Sequence, residues 1–140
     1  MKLKEIMKSD PHCISPDQPT QAAARMMRDG NVGFLPVCDD SGKVLGTITD
    51  RDITLRVVAD GKSPSTRVEQ VMSKEVVAGR PEDELKDAQQ QMASAKKSRL
   101  LVTDDAGKLV GVVSLSDIAK RGENASETMR GVTSRESHAS

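Results

Sequence analysis

The chain has 140 residues, enough for one domain with a real core, and its 21 Lys plus Arg balance 21 Asp plus Glu. That balance argues against a nucleic-acid partner, and with Phe34 as the only aromatic residue, stacking on bases has almost nothing to work with. No apolar run is long enough to span a membrane, "MKLKEIMKSD" lacks a signal-like stretch, and two cysteines suit neither a disulfide scaffold nor a zinc pattern, so a cytoplasmic protein is expected.

Along the chain, "HCIS" (12–15) reads as a short strand closed by Pro16. "TQAAARMMRDG" (20–30) follows, with Ala23, Met26 and Met27 at helical spacing and Gly30 as the expected cap. "FLPVCDDSGKVLGTIT" (34–49) is two apolar runs joined by Asp-Asp-Ser-Gly turn chemistry, hence a hairpin. A second helix starts at Thr49 and runs through "LRVVAD". "GKSPST" (61–66) is a linker, and Thr66 with Glu69 predicts a capping box for a short helix leading to Met72. "VVAG" (76–79), "ELKDAQQQMASA" (84–95) and "LLVTDDAGKLVGVVS" (100–114) then repeat strand, helix and hairpin, the helix carrying Leu85, Ala88 and Met92 on one stripe.

The repetition has a fixed offset of 65. It carries Met7 to Met72, Pro16 to Pro81, Ala23 to Ala88, Met27 to Met92, Gly46 to Gly111 and Asp52-Ile53 to Asp117-Ile118. No gap is needed from Ile6/Val71 to Ile53/Ile118, and 13 of those 48 pairs are identical. Chance similarity does not hold register that long. The predicted division is residues 1–60 for one unit, 61–70 for a linker and short helix, 71–122 for a second unit, and 123–140 for a polar, partly disordered tail.

Each unit contains one copy of an octet, "GTITDRDI" (46–53) in the first and "GVVSLSDI" (111–118) in the second. A hydroxyl followed three residues later by Asp is close to a capping box, which alone accounts for both. A helix start also offers free amides to an anion, a hydroxyl can donate to phosphate, and a carboxylate one turn on can accept both hydroxyls of a ribose. The glycine at the head of the octet would then let a flat base lie across the strand end. The residues leave both readings open.

The residues Met7, "SPD" (15–17), Ala22-Ala23, Met27 and above all "LPVCDDSGKVLGTITDRDI" (35–53) resemble a cystathionine β-synthase (CBS) domain, and two in tandem resemble a Bateman module covering residues 1 to 122. The resemblance implies an α/β (α+β) fold of two three-stranded, CBS-type βαββα units, related by pseudo-twofold symmetry and packed through their sheets, with adenosyl-ligand clefts. It assigns phosphate and ribose binding to Thr49 and Asp52 in one cleft and to Ser114 and Asp117 in the other. It adds Asp10, His12, Val32 and Gly33 as lining in the first unit, and Glu75, Val77, Lys97 and Ser98 in the second. Arg99 stands where the first unit has Phe34; family members that bind AMP or ATP often carry a basic residue there, so Arg99 is the expected phosphate partner. Its competing use is a salt bridge with the Asp104–Asp105 turn, or a simple place on a solvated basic face.

No nucleophile, base and acid come together in the pattern, so no enzyme is expected. His12 and Cys13 are strand neighbours that point to opposite faces, and His138 lies in the tail, so no metal site and no resident cofactor are expected. Cys13 and Cys38 are expected as two buried thiols. The predicted function is a regulatory module that binds an adenine nucleotide (AMP, ATP, NAD or a similar adenosyl ligand) and acts by conformational change. The alternative is a structural dimerisation module with unoccupied clefts. A homodimer is expected in either case, because each unit is predicted to leave its apolar helical stripe (Ala23, Met26, Met27; Leu85, Ala88, Met92) only partly covered. No nucleic-acid or membrane partner is expected.

Overall fold

A computed structural model of the protein describes residues 1–121; the predicted tail from 123, His138 included, lies outside the described residues. The chain forms two compact units. One is continuous, His12–Val76; the other is split, joining Met1–Pro11 to residues 77–121. In the folded chain the first eleven residues therefore pack with the second repeat.

The continuous unit holds helix α1 (Thr20–Gly30), the hairpin β2 (Phe34–Cys38) and β3 (Val44–Thr49), and the short helix α2 (Asp50–Ile53), which widens into a π-turn over Thr54–Val58. The split unit holds β1 (Lys8–Ser9), β4 (Ala78–Gly79), α3 (Leu85–Ala95), β5 (Arg99–Thr103), β6 (Leu109–Ser114) and α4 (Leu115–Arg121). Its sheet runs β1-β6-β5-β4, with β4 parallel to β5 and the other pairs antiparallel. In the continuous unit single bridges replace the edge strands: Ile14 pairs parallel with Val37, and Ser73 pairs antiparallel with Thr47. These are the 65-residue equivalents of Gly79–Val102 and Lys8–Val112. Even the hairpin bulge recurs, at Val37/Cys38 and at Val102/Thr103.

The resemblance implied three strands per unit; the split unit has a fourth, and it comes from the other repeat's head. Leu3 and Lys4 amides donate to the carbonyls of Asp83 and Pro81, both at 3.0 Å. Val68 and Glu69 amides donate to Gln18 and Pro16, both at 2.9 Å. Each head turn thus docks on the repeat that does not follow it, and its apolar residues complete that core. Leu3 and Ile6 pack with Leu85, Ala88, Met92, Leu100, Val102, Val113 and Ile118. Val68 and Val71 pack with Ala23, Met27, Leu35, Val37 and Ile48. Burying a side chain of that size stabilises by roughly 1.5–3 kcal/mol, so the two heads are structural necessities.

The same docking corrects the reason given for a dimer. Ala23, Leu85, Ala88 and Met92 are at most 2% exposed and Met27 6%, so the helical stripes are spent on each unit's own core. Met26 is half-buried. Among the described residues the exposed large apolar side chains are instead Val58 (70%), Leu55 (46%), Val32 (44%) and Met1 (42%).

Three local expectations also change. Helix α1 is closed by Asn31 in the left-handed conformation (φ 52°), one residue beyond Gly30, and Lys96 closes α3 in the same way (φ 55°). At the 3-10 turn Val68–Gln70 the flanking residue is Arg67 and no side chain caps it, so the Thr66–Glu69 box does not form. Thr66 is used otherwise: its carbonyl accepts from Thr20 N at 2.8 Å, tying the linker to the start of α1. Finally, only Cys38 of the two thiols is buried; Cys13 is exposed, and both are free. Burial, with Cys13 close by, pushes the Cys38 thiol up to about 12.

Candidate functional site

Both octets fold as reciprocal capping boxes. Thr49 Oγ1 accepts from Asp52 N at 3.1 Å, and Asp52 Oδ2 accepts from Thr49 N at 2.9 Å. Ser114 Oγ accepts from Asp117 N at 3.2 Å, and Asp117 Oδ2 accepts from Ser114 N at 3.1 Å. The arrangement satisfies amides that a helix start leaves without intrahelical partners. It uses only Oδ2 of each carboxylate, so Oδ1 of Asp52 and of Asp117 remains an acceptor, and both side chains are half-buried. The capping reading is realised, and it holds hydroxyl and carboxylate in fixed positions at the end of a strand.

Around each box the hairpin gathers the other predicted residues. In the continuous unit Phe34 lies opposite Thr49 in the ladder, Asp50 N donates to Gly33 O at 3.0 Å, and Val32 N donates to Met27 O at 3.0 Å. In the split unit Arg99 lies opposite Ser114, Leu115 N donates to Ser98 O at 3.0 Å, and Lys97 N donates to Met92 O at 2.9 Å. The backbone frame is one frame used twice; the side chains on it differ. Arg99 is exposed and its Nη1 approaches Ser98 Oγ at 3.4 Å, while the Ser114 hydroxyl also bonds Ser116 Oγ at 2.8 Å. The acidic turn that was the rival partner for Arg99 engages Arg80, whose Nη1 bonds Asp104 O and lies 3.8 Å from Asp105 Oδ1.

The other lining residues divide differently from expectation. Asp10 belongs to the split unit, with Ser114 and Asp117, because the head that carries it pairs with β6. Glu75 belongs to the continuous unit for the same reason. His12 is exposed at the start of the continuous unit, and the Val77 carbonyl accepts from Leu101 N at 3.2 Å in the split unit. Asp50 was not singled out from sequence. Its carboxylate lies so close to Gly33 that a Cβ there would sit 2.8 Å from Oδ2, and its Oδ1 accepts from Arg51 N at 2.9 Å. The available signal was that position 50 is Asp where its equivalent, 115, is Leu.

The octet glycines have a reason internal to the fold. A Cβ at Gly46 would collide with the Ser73 carbonyl, and one at Gly111 would lie 2.6 Å from Met7 Sδ and 3.1 Å from Lys8 O. The protein's own head segments, Met72-Ser73 and Met7-Lys8, cross the sheet there. Among the described residues no group of three or more His, Cys, Asp and Glu could hold a metal ion, and no helix is long and apolar enough to cross a membrane.

Comparison with known proteins agrees with this double frame. The family model for the CBS domain matches twice, over residues 3–59 and 68–124. The CBS domain-containing protein YhcV of Bacillus subtilis is 43% identical over 117 residues, covering 84% of this chain and 82% of that protein. Inosine-5'-monophosphate dehydrogenase of Methanocaldococcus jannaschii is 32% identical over 120 residues, which span 86% of this chain and 23% of that enzyme. Among solved structures, the CBS domain pair of protein MJ0100, crystallised with 5'-methylthioadenosine and S-adenosyl-L-methionine, superposes with a TM-score of 0.77 at 26% identity, covering 86% of this chain and 94% of that one.

Proposed function

The chain belongs to the CBS-domain family, and from that premise we propose that it is a non-catalytic regulatory module that binds adenosyl ligands in the cytoplasm. The observation that carries the reading is the pair of fixed hydroxyl–carboxylate boxes, each with a carboxylate oxygen left to accept from a ribose. Thr49 and Asp52 serve one subsite, Ser114 and Asp117 the other. Asp10, Val77, Lys97 and Ser98 line the subsite of the split unit; His12, Val32, Gly33 and Glu75 line that of the continuous unit. The MJ0100 complex supports the ligand class. Arg99 holds the phosphate of a nucleotide such as AMP, since a guanidinium binds phosphate oxygens bidentately with charge-assisted hydrogen bonds. Binding shifts the conformation of the module to the extent that the ligand prefers one state over another.

A thermal melt with AMP, ATP, NAD and S-adenosylmethionine tests this. A true ligand at a hundred times its dissociation constant should add about 2.7 kcal/mol to stability. Arg99→Ala should then weaken AMP by several-fold to about a hundredfold and adenosine much less. Equal losses would assign Arg99 to shaping the subsite.

Leu55 and Val58, one turn apart in the π-turn and both exposed, favour self-association as well. Twofold dimers are the commonest homo-oligomers. Light scattering is expected to give twice the 15.1 kDa of the single chain at micromolar concentration, and Val58→Lys to return it to the monomer mass. A dimer with no nucleotide response would support the purely structural reading.

A further inference from the structure

We infer that the subsite of the continuous unit selects an adenosyl ligand that carries no phosphate, a nucleoside thioether or a sulfonium, while the split unit takes the phosphorylated one. This rests on the functional reading above and assigns a different ligand class to each copy of the site.

The inference comes from placing the two copies on their common backbone frame. Where the split unit has Arg99, the continuous unit has Phe34, directly opposite its capping hydroxyl. Where the split unit has Leu115, the continuous unit has Asp50, and the backbone bond that fixes that position is the same in both, to Ser98 O and to Gly33 O at 3.0 Å. The Asp50 carboxylate lies against the bare Cα of Gly33, two residues from the Asp52 carboxylate. Lys97 is matched by Val32, and Ser116 by Arg51. With Arg51 counted, Val32–Phe34 and Asp50–Asp52 carry a net charge of minus one, and their equivalents, Lys97–Arg99 and Leu115–Asp117, carry plus one.

A phosphate brings a charge near minus two to that environment. At contact distances like charges repel and opposite charges attract by an amount that grows as water is displaced. Beside Asp50 a phosphate meets a carboxylate; beside Arg99 it meets a guanidinium. Phe34 brings no cation to that position, and a sulfonium next to Asp50 gains where a phosphate loses.

The test is calorimetry on the full chain with adenosine, 5'-methylthioadenosine, S-adenosylmethionine and AMP. In Arg99→Ala/Asp117→Ala protein, whose split-unit subsite is disabled, the remaining site should bind adenosine and 5'-methylthioadenosine at least about tenfold more tightly than AMP. Adding Asp50→Asn should bring that ratio to within about threefold. As a check independent of the double variant, Asp50→Asn alone should raise AMP stoichiometry from one toward two per chain. AMP binding as tightly as adenosine in the double variant, or an unchanged ratio after Asp50→Asn, would overturn the inference alone. Failure of every adenosyl compound to bind wild-type protein would overturn the functional reading, and this inference with it.

Discussion

The two units share a backbone to the level of a single bulge, yet they are closed in different ways. The split unit is finished by a paired strand, β1, and by ion pairs from Lys2 and Lys4 to Glu82 at 3.1 and 2.7 Å. The continuous unit is finished by one bridge at Ser73 and by Arg56, whose Nη1 donates to Val71 O at 2.9 Å. Exposed ion pairs contribute little, so the stabilisation common to both units is the apolar head: Leu3 and Ile6 in one, Val68 and Val71 in the other. The comparison shows that a tandem repeat need not be two modules placed end to end. Each copy keeps its helix and hairpin but takes its closing segment from the other copy's side of the sequence.

The largest expected effect follows from that exchange. Leu3→Ala removes a fully buried side chain and should cost about 2–5 kcal/mol. Hydrogen exchange should locate the damage in β5 and β6, far along the chain, with β2 and β3 little affected; Val68→Ala should do the reverse. If Leu3→Ala loosened Phe34–Thr49 instead, the assignment of the head would be wrong.

Alkaline pH separates the units next, because only the continuous one buries a thiol. The Cys38 pKa in the folded protein, about 12, stands above its ordinary 9.0. Its contribution is therefore fully present below pH 9 and is lost as pH rises from there toward 12, since the unfolded chain ionises first. Cys38→Ser should flatten that decline. Iodoacetamide at pH 8 is expected to label Cys13 and leave Cys38 untouched in the folded protein.

The octet glycines sharpen the comparison further. Gly46→Ala meets a backbone carbonyl held by two bonds between Thr47 and Ser73, at 2.9 and 2.8 Å, and should cost about 1–3 kcal/mol. Gly111→Ala meets first the sulfur of Met7, the far part of a flexible side chain, and should cost less. A thermal melt that ranked the two in the opposite order would show that Met7 has no room to move. Smallest of all, Asp52→Ala and Asp117→Ala each remove one half of a capping box and should cost about 1 kcal/mol, while abolishing ribose binding in their own unit.

Much of this was legible from residues alone. The offset of 65 located the helices, the hairpins and the turns, because helical spacing and Asp-Asp-x-Gly chemistry are local signals. Asp39 illustrates how local: its Oδ1 accepts from Ser41 N, Ser41 Oγ and Lys43 N, and those bonds, the Ser41 hydroxyl first, hold its carboxyl below the usual range. Asp104 repeats the arrangement with Ala106 and Lys108. Thr49, Asp52, Ser114 and Asp117 were legible too, though spacing could not separate a cap from a ligand site, since both need the same atoms in the same place.

What the sequence determined by itself was the repeat, the order of elements and the identity of the boxes, all matters of neighbours within a turn or a hairpin. Tertiary structure alone decided which head closes which core, that the helical stripes are buried, that Asp10 and Glu75 change places, and that Asp50 rests on Gly33. Pattern reports which residues face one way along an element; it carries no address for the surface they meet. That address is set when Leu3, some eighty residues from Leu85 along the chain, loses its water against it.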